Sequence, residues 1–308
     1  MSQQPIARKG VRQKLPLLLI AAAVVAGVLL SVFYSTQQVA LTPRIAKIVI
    51  TGPITYPTSS LFGASVGVEE YIKLVKQAED DPTVKAVVLV FDSPGGTVSA
   101  SYDLYTAVKE LASKKVVVSY ARGTLASGAY MAACPSARIY ASPSSLIGSI
   151  GVYASVLSVE GLLGKLGVRV YTVKTGELKD IGSPYRNMTA EDLRVMQEIV
   201  DEYFSLFKSI VLEGRKNVSS EAFTGRPYGP QEALKAGLID GITTFEEALN
   251  KTRELAGLPP YAPVVELKPP QPGLLSLLFG ALGSRTPLSV PSVVYLAMWP
   301  EPQYIVLP

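Results

Sequence analysis

Apolar and polar residues follow two periods along this chain, and the switches between them mark out the elements. Arg44-Ile-Ala-Lys-Ile-Val-Ile50 and Lys85-Ala-Val-Val-Leu-Val-Phe91 are short runs rich in β-branched residues, the pattern of strands in a covered sheet. Val116 to Tyr120, Arg138 to Tyr140 and Val168 to Val173 read as further strands. Between them the apolar positions recur at helical spacing. Val68 to Ala78 is one such helix, stopped by Asp81-Pro82, and Val98 to Ala112 is another. A helix of small residues opens at Leu125-Ala-Ser-Gly-Ala-Tyr130, after a turn at Gly123. The longest helix runs from Ala190 to Glu213, with Thr189 as N-cap and Glu191 and Asp192 at its positive end. Gly229 to Ala236 and Phe245 to Ala256 complete the set. Strands alternating with helices over residues 44–257 predict an α/β layered domain, and no internal repeat is visible.

The ends follow other patterns. No charge occurs between Lys14 and Arg44, and Leu15 to Tyr34 is almost wholly apolar. As a helix that stretch is about 30 Å long, which matches a bilayer core. It exceeds the apolar region of a cleaved signal peptide, and no A-x-A site follows it. A retained transmembrane helix over 15–34 is therefore expected, with a basic segment over 1–14 and a linker over 35–43. The basic residues precede the span, so the N-terminus is expected in the cytoplasm and the domain outside it. The sequons at Asn187 and Asn217 are compatible with that side. From Leu258 the chain turns Pro-rich, with apolar stretches at Leu274 to Leu282 and Val290 to Trp299 that are too short to span a bilayer. This 258–308 tail is expected on the body or at the membrane interface, a self-occupying segment in a peptide groove being the alternative.

Composition then narrows the chemistry. The 308 residues include no histidine and one cysteine, Cys134. Ser-His-Asp and Cys-His catalysis are excluded, and so is nearly every zinc site. One cysteine forms no internal disulfide, and Cys134 lies in an apolar run that reads as packing. The net charge of +4 is accounted for by Arg8, Lys9, Arg12 and Lys14; the remaining 25 basic residues balance 25 acidic ones. A neutral body gives no support for nucleic-acid binding. If the domain transfers protons, lysine is the available base, since burial lowers an ammonium pKa toward neutrality.

Three segments carry candidate chemistry. In Ser93-Pro94-Gly95-Gly96, proline fixes a turn, and paired glycines let backbone N–H groups face a ligand, as an oxyanion hole requires. In Ala126-Ser127-Gly128-Ala129 a serine stands between tiny residues at a strand-to-helix junction. That has the logic of a nucleophile elbow, although the G-x-S-x-G signature is absent. The third is Lys174-Thr-Gly-Glu-Leu-Lys-Asp-Ile181, where position alone does not choose between Lys174 and Lys179. Asp180 would hold a neighbouring ammonium charged, so a basic Lys179 requires Asp180 to pair elsewhere.

Together with Ile147-Gly-Ser-Ile-Gly-Val152, these segments occur in an order and spacing that resemble the signal peptide peptidase A family of membrane-anchored serine proteases. The likeness runs from about Arg44 to Glu254. It implies a ClpP/crotonase-like fold of repeated ββα units, with Ser127 as nucleophile and Lys179 as general base. It further implies Gly96, with Gly95 and Gly128, at the oxyanion and substrate-binding site, and Ser149 orienting the lysine. A neutral Lys179 needs dry surroundings, for which Ile147, Ile150 and Ile181 are candidates. No metal or cofactor is implied. The implied partners are apolar peptides such as remnant signal peptides, the bilayer, and further copies in a ring, each copy holding its own Ser127 and Lys179. A related stomatin-cleaving membrane protease and a catalytically silent crotonase-fold scaffold are the rival readings. The tail has no counterpart in the resemblance.

Overall fold

The computed structural model describes residues 24–28, 30–31, 42–57, 59–60, 63–64, 66–269 and 294–298. Residues up to Pro43 and those from Arg44 onward form two units. In the first, residues 24–28 and 30–31 are helical and exposed; the rest of the expected 15–34 span lies outside the described residues. Among the described residues no helix is long and apolar enough to cross a membrane.

The second unit is built on a mixed sheet. β1 (Arg44–Thr51) precedes a pair of two-residue strands, β2 (Ser59–Ser60) and β3 (Gly63–Ala64). The chain continues through α1 (Val68–Asp80), β4 (Val84–Ser93), β5 (Gly95–Thr97) and α2 (Val98–Lys114) to β6 (Val116–Ala126). Next come α3 (Gly128–Ala133), β7 (Arg138–Ala141), β8 (Leu146–Gly148), β9 (Tyr153–Ser155) and α4 (Glu160–Lys165). After α5 (Ala190–Gly214) follow β10 (Pro227–Tyr228), α6 (Pro230–Lys235), β11 (Gly241–Ile242), α7 (Phe245–Leu255), β12 (Val264–Leu267) and β13 (Val294–Met298).

The sheet order is β10-β8-β6-β4-β1-β12, with β7 beside β6 and β11 beside β7. β1, β4, β6, β7 and β8 pair in parallel, whereas β10 joins β8 antiparallel. β4 reads as a near-continuous apolar run because both its faces are covered: one by α1, α2 and α3, the other by α7. Its interior residues Ala86 to Phe91 are buried throughout. The two longest helix starts are fixed as their sequences imply. Thr97 accepts from the Ala100 N–H at the head of α2, and Thr189 forms a reciprocal capping box with Asp192 at the head of α5.

Three expectations need correction. β6 runs straight through Gly123 where a turn was expected. The Asp92 carboxylate sits where a Cβ of Gly123 would be, and Asp92 Oδ1 accepts from the Thr124 N–H at 3.0 Å. Residues 168–173 form no strand; Tyr171 is 82% and Val173 98% exposed, and among the described residues no strand pairs with them to take up their backbone groups. Residues 264–267, read with the tail, pair with β1 and extend the main sheet.

Candidate active site

β6 carries the chain out of the core and delivers Ser127 at its end. Its last residues, Thr124 to Ala126, pair with Leu146 to Gly148 of β8, so the backbone on either side of the serine is clamped. The Ser127 N–H donates to Gly148 O at 2.7 Å, and Ser127 O accepts from the Met131 N–H at 3.0 Å. Between these anchors Ser127 adopts φ 51°, ψ −122°, a region that costs a side-chain-bearing residue about 1–3 kcal/mol. Such strain persists only where the surroundings impose it, and here they turn the strand sharply into α3. The residue is 1% exposed, and its Oγ donates to Gly151 O at 3.3 Å. Gly128 follows at the first turn of α3, where its N–H has no helical acceptor. Ser149 stands one residue beyond β8 and also has positive φ, 49°, its N–H held by Arg226 O at 3.0 Å.

The glycine turn sits beside this elbow, since β5 follows β4 directly and packs against α3. Gly95 has φ 97°, which only glycine takes up freely, and its N–H is received by Ser93 Oγ at 3.2 Å. Gly96 is required for a different reason. A Cβ there would lie 1.8 Å from Ile54 O, because Ile54 crosses β5 as a parallel bridge. Ile54 N–H donates to Gly95 O at 2.7 Å and Ile54 O accepts from the Thr97 N–H at 3.0 Å. Strand alternation then turns the N–H and C=O of Gly96 the opposite way, toward the groove between β5 and β9.

The lysine segment is tied down on its flank. Asp180 accepts from Lys174 Nζ at 2.6 Å and from Arg186 at 2.9 Å, and Arg186 also pairs with the buried Asp192 at the head of α5. Arg186 and Lys174 hold the Asp180 carboxyl down at about 2. The condition set by the sequence is met: Asp180 pairs away from Lys179, and of the two lysines Lys174 is the one committed to a carboxylate. Among the described residues Lys179 Nζ has no ion pair or hydrogen bond. The dry surroundings expected for it are absent in the single chain, however. Lys179 is exposed and lines a surface recess with Thr172, Val173, Lys174, Thr175 and Asp180, to which Ser127 does not contribute. Ile147 and Ile150 are buried, and Ile181 is half-buried.

Sequence reasoning missed Gly151 O as the acceptor of the serine hydroxyl and Ile54 as the strap behind Gly96. It also missed β9 as the second wall of the groove. None of these acts through its side chain, so composition carries no sign of them. Close approach to Ile54 is one reason for the second glycine of the pair, but the partner is chosen by the fold.

The sequence profile of peptidase family S49 matches residues 109–259. A protein of Methanocaldococcus jannaschii named as a protease is 44% identical over 191 residues, which is 61% of this chain and 61% of that protein; the match thus spans under two thirds of that relative. A protein of Enterococcus faecium named as signal peptide peptidase SppA is 31% identical over 263 residues, 81% of this chain and 76% of that protein. The chain belongs to peptidase family S49. A solved structure of a membrane-bound stomatin-specific protease aligns with a TM-score of 0.49 at 16% identity, over 74% of this chain and 99% of that one. In this S49 chain Ser127 and Lys179 lie within the profile match, whereas Gly95 and Gly96 precede it.

Proposed function

We propose that this chain is a membrane-anchored serine endopeptidase with a ClpP/crotonase-like fold, which cuts remnant signal peptides or other apolar membrane-derived segments. The observation that carries the reading is the strained, clamped Ser127 beside a glycine strand whose Gly96 backbone groups point into a slot that one extended strand fits. An extended peptide adds to that strand through main-chain hydrogen bonds, which explains how a protease reads apolar segments of varied sequence. Ser127 Oγ attacks the scissile carbonyl while Lys179, acting as base, accepts its proton. The Gly96 and Gly128 N–H groups hold the oxyanion, and Ser149 orients the amine. Lys179 then passes the proton to the leaving amine, and water activated by the neutral lysine hydrolyses the acyl-enzyme. Exposed Leu162, Leu166, Tyr171 and Val173 support assembly into a ring, in which neighbouring copies would cover this stretch and dry the amine. The apolar 15–34 stretch supports a single membrane anchor, with the catalytic domain outside the cytoplasm.

The test is cleavage of a synthetic signal peptide by the detergent-solubilised chain, with products mapped by mass. Cuts within the apolar region by the native chain, absent in Ser127→Ala, are expected; equal cutting by both overturns the reading. One observation favours the silent-scaffold alternative: the hydrogen bond of Ser127 Oγ goes to Gly151 O and not to Lys179. Binding of the same peptide without any cleavage would be its signature. Cleavage of a stomatin C-terminal peptide in preference to signal peptides would instead favour the stomatin-directed protease.

A further inference from the structure

β5 and β9 do not pair with each other. They are the two outer strands of a three-stranded antiparallel sheet whose middle strand is β13, from the C-terminal tail. Leu296, Ala297 and Met298 lie opposite Thr97, Gly96 and Gly95; Val294, Tyr295 and Leu296 lie opposite Ser155, Ala154 and Tyr153. Two edges flanking one strand stand about 9–10 Å apart, too far to bond directly and right for one extended chain between them. Because the Gly95 and Thr97 backbone groups are taken by Ile54, the groups of Gly96 face β13, and Ala297 is the residue in register to exchange both hydrogen bonds with it. β13 also lies against α3, the helix that begins immediately after Ser127.

We propose that the segment Val294–Met298 is the resident ligand of this protein's own peptide groove, seated in the register of a substrate with Ala297 opposite Gly96. The substrate strand of the proposed peptidase would need the same slot, so the tail holds the site closed until it is displaced. This inference rests on the peptidase reading for its consequence, though not for the occupancy itself. The sequence suits the role. Val-Tyr-Leu-Ala-Met is an apolar run with high strand propensity, bounded by Pro291 and Pro300, which cannot donate to a ladder and confine the strand to a short piece. Residues 269–293 supply the reach, since that length of chain spans up to about 80 Å. A small residue opposite Gly96 also matches the groove's close backbone approach.

The test is amide hydrogen exchange on the full-length Ser127→Ala chain in detergent, compared with Ser127→Ala carrying Ala297→Pro, which lacks the N–H that faces Gly96. The amides of Gly96, Tyr153 and Ser155, which face β13, are expected to exchange at least tenfold faster in the proline variant, whereas those of Gly95 and Thr97, held by Ser93 and Ile54, should not change. β4 and β6 should be unchanged, and excess synthetic peptide of residues 290–302 should restore protection. Leu296→Pro is the second variant if the first fails to fold. Equal exchange in both chains overturns the proposal, and so does protection that rises with protein concentration, which would assign the slot to another copy's tail. With Ser127 intact, Ala297→Pro should raise the initial rate on an apolar fluorogenic peptide severalfold. The two readings fail separately. Loss of the exchange difference removes the occupant and leaves the peptidase, whereas absence of turnover in every variant removes the peptidase and leaves the occupant.

Discussion

Replacing Gly96 by alanine is a sharp perturbation because the clash it creates has no soft side. The added Cβ would stand 1.8 Å from Ile54 O, 2.5 Å from its carbonyl carbon and 2.7 Å from its nitrogen, all backbone atoms of a fully buried residue. No rotamer relieves it, so the bridge must open. Opening gives up the Ile54–Gly95 and Thr97–Ile54 hydrogen bonds, about 1 kcal/mol net each. Shifting Ile54 out of its packing adds about 1–2 kcal/mol more, part of the roughly 1.5–3 kcal/mol carried by a fully buried isoleucine. A loss of about 3–4 kcal/mol is expected in urea unfolding, together with a fall of at least a hundredfold in fluorophosphonate labelling as β5 swings away from Ser127. Gly52→Ala is the control. Its φ is +69° but the space around it is open, so about 1 kcal/mol of backbone strain is expected and labelling is unchanged. Gly96→Ala with native stability and native labelling would refute the reasoning.

Other outcomes follow from the same contacts. Arg186→Ala combined with Lys174→Ala removes both partners of Asp180 and lets it approach Lys179, so the pH–rate profile of peptide cleavage should move to higher pH, with the limiting rate recovered in alkali; an unmoved profile contradicts the clamp. The Asp180 carboxyl is held low by Arg186 and Lys174, so the clamp is fully formed above the ordinary carboxylate range near pH 4 and is lost as pH falls toward about 2. Chemical shifts of the 174–186 segment should follow that window. Arg215 is largely buried and pairs with Asp240 at 2.7 Å, which also accepts from the Ile139 N–H at 2.7 Å. Arg215→Ala should cost about 1–3 kcal/mol in urea unfolding, through the lost hydrogen bonds to Gly237 O and Asp240. Burial pushes the Cys134 thiol up to about 12, so it should stay unreactive toward a disulfide reagent at pH 8 until the chain is unfolded.

Much of the fold was legible because its signals are local. The β-branched runs became β1 and β4, and Thr189 capped α5 with the partner its spacing specifies. Where the sequence misled, the deciding partner was distant in the chain or absent from it. Gly123 reads as a turn until the Asp92 carboxylate beside it is known, and 168–173 reads as a strand because its pattern cannot say that no strand among the described residues pairs with it. The serine elbow was legible as a small-residue junction, but its backbone strain was set by β8. The slot filled by β13 was not, since strand addition uses backbone groups that every sequence shares.

The central claim is that Ser127 is a nucleophile served by Lys179. Labelling of the detergent-solubilised chain with a fluorophosphonate, followed by intact mass, tests it most directly against Ser127→Ala and Lys179→Ala. The account predicts one adduct on the native chain, none on Ser127→Ala, and labelling of Lys179→Ala slowed by at least a hundredfold. An adduct that persists in Ser127→Ala, or a Lys179→Ala chain that labels at the native rate, would contradict it.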